Sequence, residues 1–383
     1  MRRFLTAVDT SVMPTAPWKA VAAAAARLEA RAGRGESGVS IDGIAFRDGR
    51  LVLPDDLTGV TGVVVGTRDK PLLEALLSEA RTPQLEWVHA LAAGVDQLPF
   101  DALRRREGLI VTHHTGISSR PLAEFAAASF LHFAKHVPDM MRAQADGRWE
   151  RPPGGLAPVS LQGKTLAVIG TGSIGREVGR MCRHGFGMHV VGVRKRERSE
   201  ADRLQTKTDD ADVFSELISF DAEGRGGLRR ILEKSDCVVL AMPSIAGTHH
   251  LIGREELQCL RPGAIICNVG RGNAIDEAAL VEALSVGTGQ EEADVAAVAA
   301  AATAAGFAPG LCASLDVFAN EPLPSDSPLW GLSPRRLLLS PHSADQTDQY
   351  WEAAAAAFEG NALAFLEGDV SSMGPFVDLE LGY

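Results

Sequence analysis

The sequence predicts a doubly wound α/β fold, and three observations support this prediction. The chain has 383 residues, which at about 150 residues per domain corresponds to two or three domains. Continuous apolar runs, typical of buried parallel strands, alternate with helix-like segments. One of these strands leads directly into the glycine motif GTGSIG at residues 170–175. Together these features predict parallel sheets with helices on both faces.

The composition excludes several classes of protein. An apolar share of 45% is too high for a disordered chain. The formal net charge of −11 disfavours binding to nucleic acid or to an anionic membrane surface. We find no apolar run of the 18 or so residues that a membrane-spanning helix needs. We therefore expect no nucleic-acid partner and no membrane partner.

The cysteines and the N-terminal composition bear on the cellular location. The sequence has 5 cysteines without a CxxC pair, which favours a reducing compartment over a disulfide scaffold. The first 35 residues are rich in arginine and alanine, as in an organellar transit peptide, but Asp9 and the strand-like Arg3–Val8 argue against one. We predict a cytoplasmic protein, with an organellar matrix as the open alternative.

The first part of the chain alternates between predicted strands and predicted helices. A valine-rich strand at 59–66 precedes a helix-like run at 70–80, and the pair recurs at 85–96 and 99–105. Pro121 begins a long apolar helix pattern, capped by Ser118 or Ser119, that we predict to continue to Gln144. A proline- and glycine-rich linker or hinge follows at Arg151–Ser160.

The same alternation continues to the end of the second half. Predicted helices start at Ile174 and at Gly227, and the predicted strands are 165–169, 189–193, 237–243, 264–269, 312–318 and 337–341. Two segments do not fit the alternation. Lys195–Glu223 is charged and aperiodic, and Ser285–Pro309 is of low complexity with a possible alanine-rich helix. We predict that both are surface insertions.

The glycine motif predicts dinucleotide binding. Gly170 permits a tight turn, Gly172 lets the backbone approach a pyrophosphate, and Gly175 lets the following helix pack on the strand. The N-terminus of that helix supplies free N–H groups for phosphate oxygens. The predicted pyrophosphate-binding residues are Gly170, Thr171, Gly172, Ser173, Ile174 and Gly175.

The residues after the second strand of this unit predict which dinucleotide is bound. About 20 residues beyond the glycines, an acidic residue would bond to a free ribose 2′-hydroxyl. This chain instead has Arg194 and Lys195 there, which suit a 2′-phosphate, although a basic turn can also be solvated surface. We predict NADP(H) as the preferred cofactor, with NAD(H) also possible.

Polar residues follow three later strands. They lie in NVGRG at 268–272, in LDVFANEPL at 315–323 and in SPHSA at 340–344. Since ligands of open α/β sheets bind outside the carboxyl ends of the strands, these segments are predicted to converge on the nicotinamide end of the cofactor. Their candidate functional residues are Arg271, Asp316, Glu321 and His342.

The motifs GTGSIG, NVGRG, LDVFxxEPL and SPH, in this order, resemble those of the D-isomer-specific 2-hydroxyacid dehydrogenase family. GVD at 94–96 resembles the substrate-binding loop of that family. The resemblance implies two Rossmann-like doubly wound domains. A discontinuous substrate domain, residues 1–118 and 344–383, would surround an inserted dinucleotide-binding domain, residues 119–343.

The resemblance also implies residue roles. His342 would be the acid/base, with Glu321 as its partner, and Arg271 would hold the substrate carboxylate and orient the substrate. Asp316 would bond the nicotinamide carboxamide, and Arg194 stands where the family usually has an aspartate. The remaining predicted cofactor-binding residues are Pro243, Val269 and Gly270, and the backbone N–H groups of Ala93 and Gly94 are predicted to bind the substrate carboxylate.

The predicted function is reduction of a small 2-keto acid, as in glyoxylate or hydroxypyruvate reductases, with NADPH as donor and the D-hydroxy acid as product. Two alternatives stay open. One is a formate dehydrogenase, against which Glu321 argues because that branch has glutamine beside its histidine. The other is a dinucleotide-sensing corepressor. The resemblance also implies a homodimer, with the helix at Pro121–Gln144 at its interface.

Other conspicuous residues do not predict further chemistry. The pairs His113-His114 and His249-His250 lack the i, i+4 spacing of a helical metal site, so we predict no metal and expect solvent-exposed or pocket-lining side chains. We expect Met140, Met141 and Trp149 to belong to an interface or to the core.

Overall fold

The chain divides into two units. The computed structural model describes residues 2–8, 20, 23–28, 30, 39–43, 45–47, 50–53, 55–66, 70–149, 158–196, 210–285, 300 and 302–382. Unit 1 comprises Met1–Ser118 and Gln346–Tyr383, and unit 2 comprises Ser119–Asp345. No helix among the described residues is both long enough and apolar enough to cross a membrane.

Unit 1 is built on a parallel five-stranded sheet with the order β2-β1-β5-β6-β7. A short antiparallel pair, β3 and β4, lies outside this sheet. The strands are β1 (Arg2–Val8), β2 (Val39–Gly43), β3 (Ala45–Arg47), β4 (Arg50–Val52), β5 (Val60–Gly66), β6 (Trp87–Ala90) and β7 (Ile110–His113). The helices with defined bounds are α1 (Lys70–Leu76), α2 (Phe100–Arg104) and α10 (Tyr350–Glu367), with a short 3₁₀ turn at Val370–Ser372, and residues 23–28 are also helical.

Unit 2 is built on a parallel seven-stranded sheet with the order β10-β9-β8-β11-β12-β13-β14. The strands are β8 (Thr165–Ile169), β9 (His189–Arg194), β10 (Glu216–Ser219), β11 (Cys237–Leu240), β12 (Ile265–Asn268), β13 (Cys312–Leu315) and β14 (Leu337–Leu339). The α-helices are α3 (Ser119–Ala134), α4 (Val137–Ala145), α5 (Ser173–Arg180), α6 (Asp210–Val213), α7 (Phe220–Leu232), α8 (Arg254–Gln258) and α9 (Glu277–Ser285). A π-helical turn at Met181–Gly185 continues α5, and 3₁₀ turns lie at Ala246–Thr248, Gly272–Ala274 and Pro328–Gly331.

Both sheets confirm the predicted doubly wound α/β class. In unit 2 the strand order reverses between β8 and β11, and in unit 1 it reverses between β1 and β5. Such a reversal opens a crevice at the carboxyl ends of the two strands, where open α/β sheets bind ligands. In unit 2 this position belongs to the glycine turn that starts at Gly170 and to the loop that follows β11.

The single long helix predicted from Pro121 to Gln144 is wrong. The structure has two helices, α3 and α4, separated at His136, whose φ of 54° lies in the left-handed region. Pro138 explains the break, because proline lacks an N–H donor and disfavours helical geometry in the preceding residue. Ala123 and Phe130 of α3 are fully buried in the core of unit 2.

The two predicted surface insertions also require correction. Within Lys195–Glu223, β10 pairs with β9 at the edge of the sheet, and Ile218 is buried. Within Ser285–Pro309, the side chain of Phe307 is buried in the core of unit 2. Edge strands and alanine-rich segments bury few large side chains, so the apolar pattern was too weak to reveal them. Residues 197–209 and 286–299 lie outside the described residues, as do residues 151–157 of the predicted linker.

Candidate functional site

The glycine turn of unit 2 has the geometry of a phosphate cradle. Gly170 has a φ of 99°, and a Cβ atom there would lie 2.7 Å from the carbonyl oxygen of Ala241. A Cβ at Gly175 would overlap the backbone of Gly170, whereas one at Gly172 would meet nothing within 4 Å. Gly172 also caps α5 without a side-chain bond to the first N–H groups. The open space beside Gly172 and the first N–H groups of α5 thus lie together where a pyrophosphate is predicted to bind.

The other predicted cofactor residues lie on the loops after β11 and β12. A Cβ at Gly270 would lie 2.8 Å from the carbonyl oxygen of Met242, so glycine lets these two loops approach each other. Val269 is buried, and its N–H donates to the carbonyl oxygen of Leu240 at 3.1 Å. The carbonyl oxygen of Pro243 accepts a 3.0 Å bond from Thr248 Oγ1.

Arg194 ends β9, and its guanidinium has an acidic neighbour. Arg194 Nη1 donates to Asp210 Oδ2 at 3.1 Å, and the other carboxylate oxygen of Asp210 accepts from Arg176 Nε at 3.1 Å. The two arginines and one aspartate leave one net positive charge in this cluster, and the adjacent Lys195 is exposed. A 2′-phosphate would therefore meet positive charge here, but it would compete with Asp210 for Arg194.

His342 and Glu321 form a hydrogen-bonded pair. His342 Nδ1 donates to Glu321 Oε2 at 2.7 Å, and Glu321 Oε1 accepts from the backbone N–H of Phe318 at 3.0 Å. The backbone of Phe318 thus holds the Glu321 carboxylate in place, and this carboxylate in turn orients the His342 imidazole. The bond to Glu321 raises the pKa of His342 above its usual value, although burial opposes this rise.

Asp316 organises the loop that carries His342. It is buried directly after β13. Its Oδ1 accepts hydrogen bonds from Ser340 Oγ at 2.6 Å and from the N–H groups of Ser343 and Ala344 at 3.0 and 3.1 Å. Sequence analysis missed the role of Ser340, since a serine after a strand gives no signal of its own. The predicted contact of Asp316 with nicotinamide stays a prediction.

Arg271 lies on a turn that is held by side chains and by a close backbone approach. Asn268 is buried; its Nδ2 donates to the carbonyl oxygen of Arg271 at 2.9 Å, and its Oδ1 accepts from Gly270 N at 3.1 Å. A Cβ at Gly272 would overlap the backbone of Phe318, so only glycine lets this turn lie against the loop after β13. The cation of Arg271 is close enough to His342 to lower the pKa of that imidazole.

Ala93 and Gly94 lie in unit 1, in the loop after β6, and are partly exposed. The carbonyl oxygen of Ala93 is 3.0 Å from His113 Nδ1, and that of Ala92 accepts from His114 N at 3.2 Å. Of the two expectations for His113 and His114, solvent exposure is wrong, because their exposed fractions are only 8% and 1%, and a pocket-lining position stays a prediction. The second histidine pair, His249-His250, is exposed as expected.

The expectation of a core position for Met140, Met141 and Trp149 is wrong, because their exposed fractions are 46%, 62% and 105%. Among the described residues, no group of three or more histidine, cysteine, aspartate or glutamate side chains could hold a metal ion.

Known proteins share both the sequence pattern and the fold. Residues 127–298 match the family described as D-isomer specific 2-hydroxyacid dehydrogenase, NAD binding domain. The chain is 31% identical over 310 residues to glyoxylate/hydroxypyruvate reductase B of Pectobacterium atrosepticum, covering 80% of this chain and 81% of that protein. It is 31% identical over 300 residues to glyoxylate reductase of Aeropyrum pernix, covering 77% of each.

A solved structure gives the same picture. The D-isomer specific 2-hydroxyacid dehydrogenase from Xanthobacter autotrophicus Py2, in complex with NADPH and MES, superposes with a TM-score of 0.69. It is 25% identical to this chain, and the match covers 100% of this chain and 99% of that one.

Proposed function

The chain belongs to the D-isomer specific 2-hydroxyacid dehydrogenase family, and we propose that it reduces a small 2-keto acid such as glyoxylate or hydroxypyruvate with NADPH. The observation that carries this proposal is the 2.7 Å bond between His342 Nδ1 and Glu321 Oε2, in the unit that also contains the glycine cradle. An imidazole fixed by a carboxylate beside a dinucleotide site is suited to proton transfer coupled to hydride transfer.

We assign the proton transfer to His342. When the substrate carbonyl is reduced at C2, its oxygen gains negative charge and needs a proton. His342 Nδ1 is bonded to Glu321, and we assign the donation of that proton to the other ring nitrogen, Nε2. The raised pKa keeps the imidazole cationic to a higher pH than an isolated histidine. Glu321 acts through His342 as a positioning residue.

We assign substrate orientation to Arg271. Its planar guanidinium can hold a carboxylate through two parallel hydrogen bonds, which a lysine ammonium cannot do. Asn268 and Gly272 fix the turn that carries it. Arg271 therefore presents a preformed cation to an anionic substrate in a protein whose net charge is −11.

The residues of unit 2 fit the proposed cofactor. The free N–H groups at the start of α5 and the open space at Gly172 would hold the pyrophosphate, and Arg194 with Lys195 would pair with the 2′-phosphate. Bound NADPH supplies the hydride, and NADH could supply it with weaker binding. We propose that Asp316, Pro243, Val269 and Gly270 complete the cofactor site.

The alternatives are less well supported. Glu321 bonds directly to His342, whereas the formate dehydrogenase alternative would place glutamine beside that histidine. The similarity to glyoxylate and hydroxypyruvate reductases favours turnover over the purely sensory role of a corepressor.

We also propose the domain boundaries, the oligomeric state and the location. The substrate domain would comprise residues 1–118 and 344–383, with the dinucleotide-binding domain at 119–343. The exposed side chains of Met140, Met141 and Trp149 would be covered by a second copy in a homodimer. The proposed location is the cytoplasm, and the full burial of Phe4 and Leu5 of β1 in unit 1 argues against cleavage of the arginine- and alanine-rich segment, because cleavage there would remove core side chains.

A panel of 2-keto acids assayed with both cofactors tests this proposal. We expect oxidation of NADPH to be faster than that of NADH with glyoxylate or hydroxypyruvate. Arg194→Ser should raise the KM for NADPH about tenfold or more, as the loss of a charged hydrogen bond implies, and change the KM for NADH little.

The exposed Arg105 of unit 1 provides the matched control, since Arg105→Ser should alter neither KM. A clear preference for NADH would contradict the role of Arg194. No turnover of any 2-keto acid would contradict the reductase function itself.

A further inference from the structure

Two histidines of unit 1 hold the loop that is predicted to bind the substrate carboxylate. His113 Nδ1 lies 3.0 Å from the carbonyl oxygen of Ala93, and the N–H of His114 donates to the carbonyl oxygen of Ala92 at 3.2 Å. We propose that His113 is a positioning residue, which orients the backbone N–H of Gly94 toward the carboxylate of a 2-keto acid. This inference rests on the proposed function, because it takes that acid as the ligand of the loop.

The geometry of the peptide bond links the histidines to the loop donors. In a planar trans peptide, the C=O of one residue and the N–H of the next point in opposite directions. Fixing the carbonyl of Ala93 therefore fixes the N–H of Gly94, and fixing the carbonyl of Ala92 fixes the N–H of Ala93. Within the described part of the chain, neither N–H has an acceptor. Both donors are thus oriented and available.

The hydrogen bonds also determine the tautomer of His113. A carbonyl oxygen only accepts, so Nδ1 must carry the hydrogen in the bond to Ala93. Burial lowers the pKa of His113, and the bond to Ala93 does not fully offset this, which favours the neutral imidazole. Its Nε2 is then an acceptor and lies 2.8 Å from Thr115 Oγ1, which can donate to it. Thr115 Oγ1 also lies 3.1 Å from Nδ1, so this hydroxyl contacts the ring beside both nitrogens, and the bond to the carbonyl oxygen of Ala93 is the one that positions the loop.

A second chain of hydrogen bonds fixes His114 from inside the core. Trp87 Nε1, which can only donate, lies 2.9 Å from Thr112 Oγ1. The hydroxyl oxygen of Thr112 lies 2.8 Å from His89 Nδ1, and the hydroxyl can donate a hydrogen bond to this nitrogen. His89 Nε2 then carries a hydrogen and donates to His114 Nε2 at 2.9 Å. Both imidazoles can be neutral in this chain: the hydrogen between the rings belongs to His89 Nε2 if Thr112 donates to His89 Nδ1, and to His114 Nε2 if Thr112 accepts from His89 Nδ1.

Burial supports this neutral state. Burial lowers the pKa of His114 to about 4 and that of His89 well below its usual value. The backbone of His114 is therefore anchored by its buried side chain, and the loop that starts at Ala92 is attached to this anchor. Packing alone does not require the polar side chains of His89, Thr112 and His114 in the core, because apolar side chains would fill the same space without needing hydrogen-bond partners.

The test compares two substitutions of His113. In His113→Leu the donor to Ala93 is lost, and we expect the KM for glyoxylate to rise about tenfold, as the loss of one well-oriented hydrogen bond to a charged group implies. The KM for NADPH and kcat at saturating glyoxylate should change less than about twofold. In His113→Asn the side-chain amide replaces Nδ1–H, and the KM for glyoxylate should return toward that of the wild type. His249→Leu, at an exposed histidine, is the matched control and should change nothing.

A second measurement separates this inference from the proposed function. Nitrogen-15 NMR of histidine-labelled protein should show His113 as a neutral ring with its hydrogen on Nδ1, whether or not the enzyme turns over. A hydrogen on Nε2, an unchanged KM in His113→Leu or a failure of His113→Asn to restore it would overturn the positioning role. A wild-type protein that reduces no 2-keto acid would overturn the proposed function, and the NMR result would still decide the state of His113.

Discussion

The charge of the His342 imidazole depends on neighbours that the fold brings together. The hydrogen bond to Glu321 raises its pKa, burial lowers it, and the charges of Glu321 and Asp316 raise it further. The cation of Arg271 acts in the opposite direction. The net result is a raised pKa, so the proton donor needed for reduction is present over a wider pH range than for a free histidine.

This balance predicts the pH dependence of reduction. Reduction requires cationic His342, which is fully present below its pKa and is lost as pH rises through it. In the wild type we therefore expect kcat/KM for the keto acid to fall only above the usual histidine pKa of about 6.5. Glu321→Gln removes the largest cause of the raised pKa of His342, so kcat/KM of this variant should begin to fall at a lower pH than in the wild type. The measurement is kcat/KM for glyoxylate from pH 5 to 9.

His342→Ala is the companion variant for that profile. It should lose about 10²- to 10⁴-fold in kcat, the usual contribution of such proton transfer, while NADPH binding followed by fluorescence stays largely intact. Its remaining rate should no longer follow the titration of His342. Unchanged turnover in His342→Ala, or identical pH profiles for the wild type and Glu321→Gln, would contradict the assignment.

The loops after parallel strands create the site because the strands place their carboxyl ends side by side. Asn268 ends β12, Asp316 follows β13, and in this sheet the two strands are neighbours. Glycine at 272 lets the turn carrying Arg271 lie against the loop after β13. The position of Arg271 therefore depends on the close approach of the backbone at Gly272 to the backbone at Phe318, which leaves no room for a side chain at position 272.

Gly272→Ala tests this dependence. The added methyl group would overlap the backbone of Phe318, and forcing the loops apart should cost about 1–3 kcal/mol of the free energy of unfolding. The KM for glyoxylate should rise as well, since Arg271 moves with the turn. Urea unfolding and steady-state kinetics measure the two effects.

Gly331 offers the control for that substitution, because an added Cβ there meets nothing within 4 Å. Gly331→Ala should leave both stability and KM nearly unchanged. A Gly272→Ala protein as stable and active as the wild type would show that the two loops can separate freely.

Each of the two units has its own parallel sheet and its own core, and an apolar surface of unit 2 is left exposed. Met140 and Met141 project from α4, and Trp149 follows that helix. These three exposed side chains lie within ten residues of one another along the chain, and contiguous exposed apolar surface is typical of protein–protein contacts. This supports the proposed homodimer.

Met141→Lys tests the proposed homodimer. A charge at this position would lose its hydration on association, so we expect the variant to be a monomer while the wild type is a dimer. Size-exclusion chromatography with light scattering measures the mass. Val370→Lys, at an exposed apolar residue of unit 1, should remain dimeric. A monomeric wild type, or a Met141→Lys variant that stays dimeric, would contradict the proposal.

Much of the fold could be predicted because its signals are local. The buried parallel strands are continuous apolar runs, and the GTGSIG motif follows one of them directly. The break at His136 and the edge strand β10 were missed because a proline inside a helical pattern and a half-exposed strand give weak signals. The buried position of His114 was missed because its partner His89 lies 25 residues away along the chain.

The sequence by itself determined the α/β class, the glycine cradle and the order of motifs that carries the family resemblance, since each depends on residues adjacent in the chain. Only the tertiary structure decided which atoms meet: His342 with Glu321, Arg194 with Asp210, and His113 with the carbonyl of Ala93. The physical reason is that hydrogen bonds and pKa values depend on distances of about 3 Å between atoms from different strands and loops, which no local pattern encodes.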